Sequence, residues 1–272
     1  MKKIHLLLAI APAIIFSLSS CGDSKHHIRG NGNVITKQIQ IADYDEIKIN
    51  APVTLDYSQV DGVPFFEIST DDNVLDYLYI NVIGRTLYIE PTRNPGQRGR
   101  YCNLDPTMLK ITTNSRRLRE IDNDGSGYVS VISPISGFEL EIDINGSGSI
   151  VCYDSINVNE LSIDISGSGD FVNYAPTFAH SLDVDISGSG EIELKGGEVN
   201  FGEVDVQGSG KLHALPVIFQ TLDCEISGSG SSYTTIIERL TYKISGSGKI
   251  YYRGNPIIQG KVSGSGEIIN IP

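Results

Sequence analysis

Tryptophan is absent from this 272-residue chain, methionine occurs only twice, and the four cysteines form no Cys-x-x-Cys pair. That last absence removes the common redox and zinc spacings. Gly-x-Ser-x-Gly and His-Glu-x-x-His are missing too, so neither a nucleophile elbow nor a two-histidine zinc helix is encoded. Gly248-Lys249 looks like the end of a phosphate loop, but Lys243 stands where that loop needs glycine and Ile250 where it needs Ser or Thr. No catalytic residue, cofactor or metal site is expected. Basic side chains are scarce along the middle of the chain, where residues 120 to 235 hold nineteen acidic groups against Lys195 and Lys211, and no arginine lies between Arg119 and Arg239. With a formal net charge of −12, nucleic acid is excluded as a natural partner.

Long apolar runs are also lacking, except at the start. Met1-Lys2-Lys3, an apolar stretch to Phe16 and then Leu18-Ser-Ser-Cys21 read as an export signal, too short to span a membrane. Leu, two small residues, Cys21 and Gly22 match the bacterial lipobox, which predicts cleavage after residue 20, acylation of Cys21 and a permanent membrane anchor. Loss of Lys2 and Lys3 takes the formal charge to −14. The expected organisation is a signal peptide over 1–20, a polar tether over 21–29 and one domain over 30–272. His26 and His27 fall in that tether, where two neighbouring histidines make no preformed metal site.

Glycine, by contrast, is abundant and periodic. Gly-Ser-Gly recurs eight times, with first glycines Gly125, Gly146, Gly167, Gly188, Gly208, Gly228, Gly246 and Gly264, at spacings of 18 to 21 residues. Alternating apolar stretches precede the copies, as in Leu140-Glu-Ile142-Asp-Ile144 and Leu161-Ser-Ile163-Asp-Ile165, and a period of two means strands with one face inward. A unit of this length cannot bury its apolar face alone, so the repeats must stack into an all-β solenoid with Gly-Ser-Gly at the corners. Two residues before each first glycine stand Ile144, Ile165, Ile186, Val206, Ile226, Ile244 and Val262, the predicted core column. Asn123 replaces the aliphatic in the first copy, where Leu118 and Ile121 are expected out of register. The middle serines would form a ladder of hydroxyls. Cys224 joins the inward column of Ile142, Ile163, Val184 and Val204 as a small buried thiol, and it lies too many coils from Cys152 for a disulfide. The strands before residue 90 are less regular, with turns at Asp61-Gly62 and Ile83-Gly84-Arg85 and one helical turn within 71–78.

One face carries the charge. Asp143, Asp164, Asp185 and Asp205 recur three residues before the first glycines, with Asp183, Glu203 and Asp223 two further back. Stacked in register they form an acidic face that either is simply solvated or meets a cationic protein, a surface ligand or a weak divalent cation. Residues 85 to 119 hold eight basic and two acidic groups, so a positive end is expected beside it.

The lipobox through Cys21, Gly30-Asn-Gly32-Asn-Val, Tyr44-Asp-Glu-Ile47, the Gly-Ser-Gly array and Tyr252-Arg-Gly-Asn-Pro256 together resemble the GIN-domain family of bacterial lipoproteins, labelled autotransporter-type adhesin heads. The resemblance spans about residues 30 to 270, departing at the Arg-rich stretch 91–117. It implies a right-handed parallel β-helix-like solenoid, a place in the cell envelope, at the outer membrane and facing either the periplasm or the cell surface, and no catalytic residues. A non-enzymatic adhesin or surface-interaction protein is therefore the expected function. Its rivals are a self-assembling envelope scaffold, and a polysaccharide-active enzyme of the kind that β-helices also support.

Overall fold

The computed structural model describes residues 27–93 and 101–272. The export segment, Cys21 and the first part of the tether, with His26, lie outside the described residues, as do Arg98 and Arg100. The rest is a β-solenoid of about seven turns, each of roughly 21 residues. Ile135–Gly146, Ile156–Gly167, Thr177–Gly188 and Gly197–Gly208 stack in parallel, and Lys211–Gly228, Ser231–Gly246 and Ile257–Gly264 continue the column. After the corners at Gly146, Gly167 and Gly188 a shorter strand, such as Ser149–Cys152 or Asp170–Asn173, builds a second parallel column that the first residues of Lys211–Gly228 and Ser231–Gly246 continue.

The inward positions fall where the alternation puts them. Ile144, Ile165, Ile186, Val206, Ile226 and Ile244 are fully buried, and Cys224 aligns with Val204. Val262 belongs to the same register yet is 40% exposed, because its coil has no neighbour on its outer side. Burial pushes the thiols of Cys152 and Cys224 up to about 12, so they are inert packing groups. Cys102 is buried as well, and no disulfide forms among the described residues.

The corners work through the backbone. From Gly146 onward the first glycine of each copy has φ between 116° and 138°, and a Cβ there would press on the carbonyl of the glycine one coil earlier. The second glycine needs its bare Cα for a different reason: at Gly190, for instance, a Cβ would lie 2.5 Å from the Ile165 side chain. The serine N–H between them donates to the preceding coil's glycine carbonyl, as Ser189 does to Gly167 at 2.8 Å. The expected hydroxyl ladder is thus a ladder of backbone hydrogen bonds, with the serine side chains turned to solvent.

The first 120 residues depart from simple stacking. Glu46–Ile49 lies between Thr86–Pro91 and Glu120–Asn123, and Thr54–Gln59 between Leu109–Ser115 and Tyr128–Val131. Thr86–Pro91 and Leu109–Ser115, later in the chain, therefore form the outer coil, and residues 116–119 pass back across the first one. Antiparallel strands finish both columns: Phe66–Asp71 against Leu109–Ser115, with Val34–Gln38 beyond it, and Leu78–Ile83 against Thr86–Pro91 about Gly84. Asp71 fastens this cap. Fully buried, it accepts the N–H groups of Gly32 at 2.7 Å and Thr107 at 2.8 Å and the Thr107 hydroxyl at 2.7 Å, bonds that hold its pKa below the ordinary value. The Asn31 and Asn33 amides bind Asp72 beside it, at the start of the single helical turn Asp72–Leu75.

Two expectations need correction. Ile121 pairs with Ile142 and is in register; only Leu118 is displaced, and it is buried as part of the crossing. Asn123 does occupy the aliphatic column, where its amide donates to the Gly127 carbonyl at 2.8 Å and ties the first corner. His27–Arg29, expected in the tether, is a strand parallel to Asn103–Asp105.

Candidate interaction face

Outward positions of the long strands stack in register, and two carboxylate columns result. The first runs Asp122, Asp143, Asp164, Asp185, Asp205 and Glu225. These side chains are half-buried between their neighbours. Burial first, then neighbouring carboxylates on the same and adjacent strands, raises the pKa of Asp122, Asp143, Asp185 and Asp205, with Asp143 reaching about 6. Lysines close both ends of the column: Lys48 meets Glu120 at 2.9 Å and Asp122 at 3.3 Å, and Lys243 pairs with Glu225. Ser166 and Ser187 hydroxyls give weak support to Asp164 and Asp185.

The second column is a groove of about 490 Å³. Its floor passes over Leu140, Leu161, Leu182 and Gly202; Glu139, Glu160, Ser181 and Phe201 form one rim, and Glu141, Ser162, Asp183, Glu203 and Asp223 the other. Arg119 and Glu120 close one end. Arg119 is already committed, at 2.9 Å from Glu46 and 3.1 Å from Glu139. Among the described residues, no ion pair or hydrogen bond engages the carboxylates of Glu141, Glu160, Asp183, Glu203 or Asp223. Phe201 turns a ring that is 52% exposed into this surface, with His180 packed edge-on against it at 5.0 Å.

The acidic residues singled out in the sequence thus divide. Asp183, Glu203 and Asp223 line the groove, whereas Asp143, Asp164, Asp185 and Asp205 form the adjoining ladder. Glu160 and Phe201 were missed, although both stand seven residues before a first glycine and could have been found by counting from it. Among the described residues no three acidic, histidine or cysteine side chains converge on a point where a metal ion could sit. The positive end expected over 85 to 119 is partly neutralised within the fold, while Arg116 and Arg117 stay exposed without an acidic partner among the described residues. Arg85 binds Asp45 at 2.6 Å, Arg119 binds Glu46, and Lys110 binds Asp56 at 2.9 Å, so acids of the first coil neutralise bases that are distant in sequence.

The family described as "Putative auto-transporter adhesin, head GIN domain" matches residues 43–175 and again 140–256. Solved relatives share the whole architecture. The crystal structure of a "Putative lipid binding protein" from Parabacteroides distasonis is 33% identical over 90% of this chain and 100% of its own, with a TM-score of 0.87. A "putative adhesin" from Parabacteroides merdae is 28% identical over 91% of this chain and 100% of its own, with a TM-score of 0.84. Another from Parabacteroides distasonis, at 28% identity over 90% of this chain and 100% of its own, gives 0.83. No curated protein matches the chain.

Proposed function

The chain belongs to the family of adhesin-head GIN domains, and from that premise we propose that it is a lipid-anchored envelope protein whose solenoid holds a rigid acidic groove toward a cationic partner. The family and two of the similar structures are described as adhesins and none as an enzyme, and such a head is a protein of the cell surface or envelope. One observation carries the finer reading: a row of unpaired carboxylates lines a preformed groove on a stiff scaffold, an arrangement that steers and orients positive ligands. The Parabacteroides distasonis relative named for lipid binding does not transfer simply, since this groove would repel an anionic headgroup. Anchoring rests on Leu18 to Cys21.

The anchor is tested by Cys21→Ala. The variant should appear in the soluble fraction or as unprocessed precursor, and protease added to intact cells should degrade the wild-type protein if the groove faces outward. Normal membrane partitioning and acyl labelling of the variant would refute anchoring at this residue. A second reading, a self-assembling scaffold, draws on Ile257–Gly264, a strand with every residue exposed and one edge unpaired. Sedimentation of the mature protein separates the two: a monomer at micromolar concentration rules out the scaffold.

A further inference from the structure

We propose that the groove binds linear polyamines, alkyl chains carrying ammonium groups three or four methylenes apart, laid along the solenoid axis. The inference rests on the docking reading above and gives its cationic partner a chemistry. Successive coils each offer one unpaired carboxylate to the groove: Glu141, Glu160, Asp183, Glu203 and Asp223. Parallel strands place these rungs ~4.8 Å apart. Ammonium groups separated by three or four methylenes lie about 5–6 Å apart when extended. An extended polyamine can therefore meet a carboxylate at each of the three successive rungs of Asp183, Glu203 and Asp223, with Glu160 facing it from the opposite rim. An extended basic peptide rises ~3.3 Å per residue and presents same-side cations about 6.6 Å apart, out of step with the coils.

The walls favour an organic cation over a metal ion. No three ligating groups converge among the described residues, so a divalent ion would find single carboxylates only. Phe201, half-exposed across the groove from Glu203, offers an aromatic face to an ammonium and an apolar surface to its methylenes. The leucine and glycine floor presents no donor that a cation would have to displace. Because the carboxylates are exposed, each contact is weak and screened, and affinity comes from their number.

Calorimetric titration of spermine into the detergent-solubilised mature protein at low salt tests the assignment. Wild type should bind, more weakly by at least threefold at physiological salt. The triple variant Asp183→Asn/Glu203→Gln/Asp223→Asn should lose at least tenfold in affinity. Ser162→Lys, which adds a resident ammonium inside the groove, should lose as much while keeping every carboxylate. Glu198→Gln/Glu238→Gln, which removes two exposed acids elsewhere, should bind as wild type does, and circular dichroism confirms that each variant is folded. Octalysine is the second probe. If octalysine binds wild type and not the triple variant while spermine binds neither, the polyamine assignment falls and the docking reading stands. If neither probe binds, both fall; if spermine binds the triple variant as tightly as wild type, the groove is not its site.

Discussion

Asp143 stands between Asp122 and Asp164 in the half-buried ladder, where burial and the neighbouring Glu141 push its pKa up to about 6. A carboxyl whose folded pKa is raised holds its proton more tightly when folded. Its stabilising contribution is complete below the ordinary value of 3.8 and is lost as pH rises through 6. Asp71 has the opposite sign: its lowered pKa contributes stability above the ordinary range that is lost as pH falls through the folded value. Stability should therefore peak between about pH 4 and 6, and the melting temperature should rise when pH is lowered from 7.5 to 5.5. Asp143→Asn removes the charge and keeps the shape, so at pH 7.5 it should stabilise by about 1–2 kcal/mol after allowance for screening, or roughly 2–6 °C. Thermal melts across that range check both claims. A lower melting temperature for the variant at pH 7.5 would show that the Asp143 charge is compensated by a partner.

At the scale of the strand and its corner, the glycines and serines of one motif do separate things. Gly188 combines φ of 136° with a backbone contact to Gly167 that leaves no room for a methyl group, so Gly188→Ala should cost about 2–4 kcal/mol. Ser189 contributes its N–H and keeps its hydroxyl in solvent, so Ser189→Ala should change stability by less than about 0.5 kcal/mol. Equal losses in urea unfolding would restore the hydroxyl ladder. These elements were legible because period and chemistry coincide: Ile142 and Ile144 point inward, Asp143 points outward, and Gly146 closes the turn within the same few residues. The cap was not. Irregular strands are readable there, but nothing local to Phe66–Asp71 or Thr86–Pro91 states that the first pairs antiparallel with Leu109–Ser115 or that the second lies outside Glu46–Ile49. Strand order in that region is decided by contacts between residues tens of positions apart. The groove was half legible for a related reason. Its Asp183–Glu203–Asp223 rim follows the repeat, whereas Glu160 and Phe201 lie beyond the bend in the strand, where Val158 and Leu161 are the successive inward residues and the alternation slips by one.

Over the whole molecule, each coil touches only its neighbours, and the two ends are unlike. The N-terminal end is finished by antiparallel strands and by the Asp71 and Asp72 hydrogen bonds, while Ile257–Gly264 leaves Ile257 71% and Ile258 42% exposed with one edge open. In such a stack stability is close to a sum of coil and interface contributions, so opening should start where an interface is missing. Amide hydrogen exchange should be fastest in 257–270, slowest through the coils between Ile135 and Gly228, and intermediate in the cap. Position should then decide the reach of a core mutation. Ile244→Ala and Ile165→Ala each remove a fully buried aliphatic, at about 2–4 kcal/mol. Ile244→Ala should release protection mainly in the last two coils and leave the groove's spermine affinity unchanged. Ile165→Ala lies in the coil that carries the groove's second rung, so it should lower protection on both sides of its coil and weaken binding with it. If both variants lose protection uniformly along the chain, the solenoid unfolds as a single cooperative block, and the exposed last coil is no weaker than the rest.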